Sequence, residues 1–242
     1  MFKLAHFLVA MSVVSSAAAD VARLLNAADG FRLPSDALRV ETEIRLYKSG
    51  TLDTERRYSV FLKPGRRSLV LMQSPSEKGQ KVLMLADEFW QIMPQSQRPI
   101  RITPLQKLLG DAWAGDIATM PWGEDNTGTM EGEVSVEGVA CLQLTLSAAR
   151  KGVSYQRVDL YLAKADSPPV KADLYVASDK LAKRATFTVE DVGGRPQVSM
   201  MALSDEIQPG RQTVIGYFKR VSRSIPDEYY NPMYLTHNDL RD

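Results

Sequence analysis

Histidine and cysteine are nearly absent from this chain, and their scarcity limits the chemistry that it can perform. The 242 residues include two histidines, His6 and His237, and one cysteine, Cys141. The chain therefore has too few of these residues to favour a histidine-based metal site, a Ser/His/Asp relay or a Cys/His pair. The sequence also contains no P-loop, no G-x-G-x-x-G and no H-E-x-x-H motif. We therefore expect a protein that is not an enzyme and that uses no cofactor or metal.

A strong excess of either charge is also absent. The chain has 30 Lys and Arg residues against 29 Asp and Glu residues, so its overall charge does not indicate a nucleic-acid partner. The charges are nevertheless unevenly distributed. Most of the charged side chains in residues 56–107 are basic, and all of those in residues 108–149 are acidic. We expect these to be solvated opposite faces, with docking surfaces as the alternative.

No apolar run reaches the roughly 20 residues that a membrane-spanning helix needs. The run from Leu4 to Val14 follows Lys3 and precedes Ala17-Ala18-Ala19. This pattern predicts a cleavable signal peptide over residues 1–19 and a mature, secreted domain over residues 20–242. Cys141 is far from the cleavage point and cannot carry the N-terminal lipid of a lipoprotein. A lone cysteine in an apolar strand pattern is expected to be buried as a small hydrophobic side chain.

Strand patterns dominate the rest of the chain. Residues 38–48 alternate between apolar and polar side chains, and Glu41 and Glu43 fall on the polar face, where solvated charge is expected. About ten such segments follow one another with short turns, which predicts a mainly β (α+β) fold with a curled antiparallel sheet. A short helix is predicted over residues 20–30 with Val21, Leu24, Leu25 and Ala28 on its apolar face, and a second one over residues 104–110.

Three successive strand segments, residues 68–72, 82–86 and 89–93, are mainly apolar, and the first two do not alternate, so both of their faces are apolar. Their second face must leave water, so we expect helices to cover it or a cavity to lie beneath a lid. The predicted cavity residues are Leu69, Leu71, Met84, Phe89, Trp90 and Ile92, and the predicted lid residues are Leu105, Leu108, Leu109 and Trp113. An ordinary packed core is the alternative.

A resemblance to a known family rests on these same segments. The stretch SGTLDTERRYSVFLKPGRRSLVLMQSPSEKGQKVLMLADEFWQIMPQSQRPIRITPLQKLLGDAWAGDIATM, residues 49–120, resembles the outer membrane lipoprotein-sorting proteins, in the branch related to the LolA and LolB carriers. The ending SRSIPDEYYNPMYL, residues 222–235, is similar to the end of that branch. The resemblance implies a half-open antiparallel β-barrel closed by helices, with an apolar cavity for acyl chains. It also implies a latch, which is a residue that holds the lid closed. Lys63 occupies the position of the arginine that has this role in the family, and Arg66 and Arg67 follow just beyond it.

The function that the resemblance implies is that of a periplasmic carrier in outer membrane biogenesis. Such a carrier takes an acylated lipoprotein or a lipid from an inner-membrane transporter and shields its acyl chains during transport to the outer membrane. The branch is also associated with exporters of the resistance-nodulation-division type. The alternative is therefore a non-enzymatic accessory or interaction subunit of such an exporter, with a filled core.

Overall fold

Thirteen strands form one antiparallel sheet in the computed structural model, which describes residues 19–33, 36–103, 105, 107–109, 112–113, 116 and 121–240. The strands of this sheet are β1 Leu38–Lys48, β2 Thr51–Lys63, β3 Arg67–Met72, β4 Lys81–Leu85, β5 Glu88–Ile92, β6 Ile100–Ile102, β9 Asn126–Val136, β10 Val139–Ala148, β11 Arg157–Ala163, β12 Pro169–Tyr175, β13 Leu181–Asp191, β14 Pro196–Asp205 and β15 Arg211–Ser222. Their order in the sheet is β6-β5-β4-β3-β2-β1-β15-β14-β13-β12-β11-β10-β9. The predicted mainly β, half-open architecture is confirmed, and the expected count of about ten strands was too low.

Strand β1 joins the two halves of the sheet, because it pairs with β2 on one side and with β15 on the other. Its bounds are those that alternation predicts, and Val40, Ile44 and Leu46 are buried on one face. The expectation of a solvated Glu43 was wrong, since its side chain is only 7% exposed. Arg57 Nε on β2 lies 3.2 Å from the Glu43 carboxylate, and Arg45 on the same strand as Glu43 also pairs with it, so two arginines take the place of water.

A helix over residues 19–30 covers the concave face of the sheet. Val21, Leu24, Leu25 and Ala28 are all buried, as the helical spacing predicts, and they pack into one large cluster with inner-face side chains of both halves of the sheet. A short helix, Trp122–Asp125, lies against it. The two helices approach so closely that a Cβ atom added to Gly123 would be 2.5 Å from Asn26 Oδ1. None of the helices in the described ranges is long and apolar enough to cross a membrane.

The predicted helix over residues 104–110 is not present in the described part of that segment. Lys107–Leu109 is strand β7, and it pairs with Ala112–Trp113, strand β8, in a separate two-stranded sheet. The prediction rested on flanking capping residues, but one or two helical turns are costly to nucleate without a packed face. Leu105 is 43% exposed. The side chains of Leu108, Leu109 and Trp113 lie outside the described residues.

The C-terminal segment, residues 223–240, covers the outer face of strands β2 to β5. It contains the 3₁₀ helix Asp227–Tyr230 and the short helix Tyr234–His237. Its buried side chains complete a second apolar cluster, made of Phe61, Leu69, Leu71, Leu83, Ile92, Ile225, Tyr230 and Leu235. Strands β3 and β4 are therefore apolar on both faces because one face meets the concave core and the other meets this segment.

Candidate functional site

The concave side of the sheet holds two adjoining clefts. The first, here the arginine cleft, has two cations among its apolar walls. It is lined mainly by Val40, Val60, Leu62, Val198, Met201, Arg32 and Arg220. The second, here the tyrosine cleft, has a lining that includes Tyr155, Val158, Leu174, Ala185 and Leu203. The walls of the arginine cleft come from both halves of the sheet, and the strand residues of the tyrosine cleft come from β9 and from β11 to β14.

A stack of three side chains separates the two clefts. The Arg32 guanidinium carbon lies 4.0 Å from the centre of the Trp122 ring, and the Trp122 and Phe187 rings meet edge to face at 5.7 Å. Both Arg32 and Phe187 line both clefts. Cation–π and edge-to-face contacts each contribute about 0.5–2 kcal/mol. The partition is therefore formed by individually weak contacts between side chains.

Asp29 holds Trp122 in this stack. Its carboxylate accepts the backbone N–H groups of Trp122 and Gly123 at 2.9 and 2.8 Å, and Arg32 lies 3.8 Å from it. Burial raises the pKa of Asp29, against the lowering effect of Arg32 and the two backbone donors. The N-terminal helix therefore positions the partition between the clefts, since Asp29 lies in its last turn.

A buried ion pair lies beside the tyrosine cleft. Lys183 Nζ is 2.6 Å from the Asp116 carboxylate, whose other oxygen accepts the Tyr155 hydroxyl at 2.9 Å. Burial, followed by the neighbouring Asp116 charge, raises the pKa of Tyr155 well above its ordinary value, so its hydroxyl remains a donor. Asp116 belongs to the stretch between β8 and the helix Trp122–Asp125, and this pair fixes it to strand β13.

The predicted latch residues Lys63, Arg66 and Arg67 divide between two places. Lys63 and Arg67 both pair with Asp227 of the C-terminal segment, Arg67 at 3.3 Å. In the described part of the chain these residues thus hold the outer cover of the sheet, and no contact with the predicted lid residue Leu105 is seen. Their latch role stays a prediction.

Arg66 joins the two ends of the curled sheet. Its guanidinium lies 2.7 Å from Asp125 and 3.2 Å from Asp87, and Arg150 pairs with the same two carboxylates. The Arg66 and Asp125 side chains are only 10% and 3% exposed. Some of the uneven charge seen in the sequence is therefore neutralised within the molecule, because Arg66 of the basic region contacts Asp125 of the acidic region.

The six predicted cavity residues lie on opposite faces of the sheet. Leu69, Leu71 and Ile92 belong to the outer cluster, and Trp90 packs against it. Met84 pairs in register with Ser68 and Phe89, on the same face as Val70 and Val82 of the concave core. The four outer residues therefore pack against the C-terminal segment. Ligand binding by any of the six stays a prediction, and Met84 and Phe89 are the two on the concave face.

Several residues of the clefts were missed by reasoning from the sequence. Arg32, Phe187 and Arg220 come from segments that carry no motif, and they meet only because the sheet curls. Lys183 interrupts an apolar strand pattern, and a lone lysine at a buried position was a signal for an interior partner. Cys141 is fully buried, as expected, and burial raises the pKa of its thiol. In the described ranges no group of three or more His, Cys, Asp or Glu side chains could hold a metal ion.

Three solved structures illustrate what this chain is similar to. A LolA superfamily protein from Nitrosomonas europaea is 28% identical, with 88% of this chain and 97% of that chain covered and a TM-score of 0.81. A DUF1329 family protein from Desulfovibrio piger is 21% identical, covers 90% and 99%, and has a TM-score of 0.77. A putative outer membrane lipoprotein-sorting protein domain from Vibrio parahaemolyticus is 16% identical, covers 89% and 98%, and has a TM-score of 0.72.

A family model described as "Uncharacterized protein" matches residues 65–237, which is more than half of the chain. No curated protein matches. The matched span runs from the β2–β3 turn to the helix Tyr234–His237. It includes most of the tyrosine cleft and of the outer cover, whereas Arg32, Val40 and Val60 of the arginine cleft lie before it. The open antiparallel sheet, its concave clefts and the agreement with the Nitrosomonas protein over nearly the whole fold lead to one assignment. This chain belongs to a LolA-like family.

Proposed function

We propose that this protein is a periplasmic carrier that binds the acyl chains of a lipoprotein, or of a lipid, in its concave clefts and transfers them between the inner and outer membranes. The observation that carries the proposal is the pair of adjoining clefts with apolar walls that share the side chains of one partition. The carrier fold of LolA-like relatives supports it. The signal peptide predicted over residues 1–19 lies outside the described residues, and it would deliver the protein to the periplasm.

Partition between two apolar environments is the mechanism, and no covalent step is involved. Each methylene group that leaves water contributes about 0.8 kcal/mol. An acyl chain that buries about eight of them gains about 6 kcal/mol, before the loss of chain freedom is counted. Release needs only the opposite transfer, into a membrane or an acceptor. An inner-membrane transporter would supply the cargo. In the alternative proposal, the protein carries no cargo and is an accessory subunit of a resistance-nodulation-division type exporter.

The accessory-subunit alternative has less support from the charge pattern. It assigned docking to the basic and acidic regions of the chain, with Arg66 and Arg67 as the test residues. Arg66 is occupied by Asp125 and Asp87, and Arg67 by Asp227. Reversing either charge would therefore disturb the fold as well as any docking, and a lost interaction would have two explanations.

Two adjacent methionines on β14 test the binding site directly. Met201 lines both clefts and is 5% exposed, whereas Met200 is 39% exposed and lines a groove on the outer face. We expect Met201→Asp to lower the affinity for an uncharged pyrene-labelled acyl chain by at least about tenfold, since a carboxylate in an apolar cleft costs more than about 1.4 kcal/mol. Met200→Asp should bind as the wild type does.

Both methionine variants are to be checked for folding by near-ultraviolet circular dichroism, and Met201→Gln is the milder substitute if Met201→Asp unfolds. Equal binding by the wild type and a folded Met201 variant would show that acyl chains do not enter the concave clefts. Absence of binding by the wild-type protein itself would remove the carrier proposal altogether.

Phe187→Ala is expected to lengthen the acyl chain that the protein accepts. Removing this ring takes one wall from the partition, so the two clefts become continuous. A series of fatty acids from decanoate to stearate, measured by probe displacement, should show the best-bound chain shift to a longer member. Phe218→Ala is the matched control, because Phe218 is 62% exposed and lies on the outer face. An unchanged chain-length profile in Phe187→Ala would mean that the partition does not limit the cargo.

A further inference from the structure

A β-bulge in strand β15 turns one arginine into the arginine cleft. Thr42 of β1 is opposite Tyr217, Glu41 is opposite Lys219, and Phe218 is the extra residue between them. A bulge reverses the alternation of side chains beyond it. Tyr217 lines the arginine cleft, and so does Arg220 three residues later, although regular alternation would put them on opposite faces. The bulge therefore places a second guanidinium, in addition to that of Arg32, in the lining of the cleft.

Arg220 lacks a counter-ion in the described part of the molecule. Its Nη2 donates to the backbone carbonyl of Val198, and its Nη1 is buried without a hydrogen-bond partner. Burial lowers the pKa of Arg220, and no carboxylate among the described residues acts against that effect. By contrast Arg32, the other cation of the cleft, lies 3.8 Å from Asp29. Burying a donor of a charged group without an acceptor costs free energy, which indicates that a bound molecule accepts this hydrogen bond.

A second unsatisfied polar atom lines the same cleft. The hydroxyl of Thr42, a residue only 3% exposed, has no partner in the structure. Thr42 is opposite Tyr217 on the neighbouring strand, on the inner face that Arg220 shares. A guanidinium N–H and a hydroxyl that both lack partners are matched by one ligand with anionic oxygen atoms. The remaining wall, which includes Val40, Val60 and Leu62, is matched by a hydrocarbon tail.

We propose that the arginine cleft binds an amphiphile with an anionic head, a carboxylate or a phosphate, which is held by Arg220 Nη1 and Thr42 Oγ1 while its acyl tail lies against Val40, Val60 and Leu62. This inference rests on the proposed carrier function and narrows its cargo from any acylated molecule to an anionic lipid or fatty acid. Arg32 adds a second positive charge near the head, with part of its charge balanced by Asp29.

Three ligands with the same tail test the proposal, namely palmitate, hexadecyl phosphate and hexadecanol, each measured by displacement of the uncharged pyrene probe. We expect the wild type to bind at least one of the two anions about tenfold or more tightly than the alcohol, because a charge-assisted hydrogen bond is made only with the anion. The stronger of the two anions identifies the source of the head group, a fatty acid or a phosphate-bearing lipid.

Arg220→Gln should lose this preference, with hexadecanol binding changed by less than about twofold. Lys219→Gln is the matched control, since it removes the same charge from the next residue on the opposite face. A wild type that binds hexadecanol as well as the two anions would overturn the anion site and leave the carrier function standing. A wild type that binds none of the three would overturn both. The anion-to-alcohol ratio of the wild type decides the question even if Arg220→Gln does not fold.

Discussion

Lys183→Met is expected to lower the free energy of unfolding by about 3–5 kcal/mol. The substitution leaves the Asp116 carboxylate, which is 5% exposed, without its cation in the interior. The Tyr155 hydroxyl remains as a hydrogen-bond donor to it, but a neutral donor does not balance a buried charge. Urea denaturation at neutral pH, followed by far-ultraviolet circular dichroism, measures the loss as a lower midpoint.

Two further variants separate the buried charge from the loss of a lysine as such. Adding Asp116→Asn to Lys183→Met removes the uncompensated charge and keeps an acceptor for Tyr155, so most of the stability should return. Lys164→Met breaks a pair with the same 2.6 Å distance to Glu133, but its side chains are 45% and 63% exposed. That loss should stay below about 1 kcal/mol. Equal losses in Lys183→Met and Lys164→Met would show that burial of the Asp116–Lys183 pair has no energetic consequence.

Leu235→Ala is expected to destabilise the protein by about 2–5 kcal/mol. Leu235 is fully buried between the C-terminal segment and strands β2 to β5, with Leu69, Leu71 and Ile92 in the same cluster. Its own carbonyl accepts Lys81 Nζ at 2.8 Å, so the side chain and the backbone anchor the segment together. A cavity here loosens the cover of two strands that are apolar on both faces. Thermal or urea unfolding measures the loss.

Met233→Ala is the control for this prediction, because Met233 is two residues away and 51% exposed. It should change the free energy of unfolding by no more than about 0.5 kcal/mol. Acyl-chain binding by folded Leu235→Ala should remain at the wild-type level, since the outer cluster is separated from the clefts by the sheet. Lost binding in folded Leu235→Ala would instead support the outer-face residues Leu69, Leu71, Trp90 and Ile92 as cargo contacts.

Local patterns in the sequence predicted the parts of the fold that depend on neighbouring residues. The bounds of β1 and the apolar face of the helix over residues 19–30 follow from periodicity alone. The apolar character of β3 and β4 on both faces also indicated that the second face of each had to be covered by helices or line a cavity. Which element supplies the outer cover depends on contacts between residues about 160 positions apart, such as Lys63 and Asp227, and periodicity carries no information on these.

The clefts could not be predicted for the same reason. Arg220 reaches the inner face because of one extra residue, Phe218, and nothing in the local sequence marks a bulge there. Phe187 and Trp122 meet only through the curl of thirteen strands. The predicted cavity set failed to fall on one face for a simpler reason. In a strand that is apolar on both sides, alternation cannot tell the concave face from the outer one.

Native mass spectrometry of the mature protein, purified from periplasm without detergent, tests the central claim most directly. We expect an additional mass that disappears on lipid extraction. The extract should contain an acyl-chain compound of that mass. The adduct should be absent from a folded Met201→Asp variant and present in Met200→Asp. An adduct that persists unchanged in folded Met201→Asp would contradict binding in the concave clefts, and an apo mass that also fails to take up added palmitate or hexadecanol would contradict the carrier function.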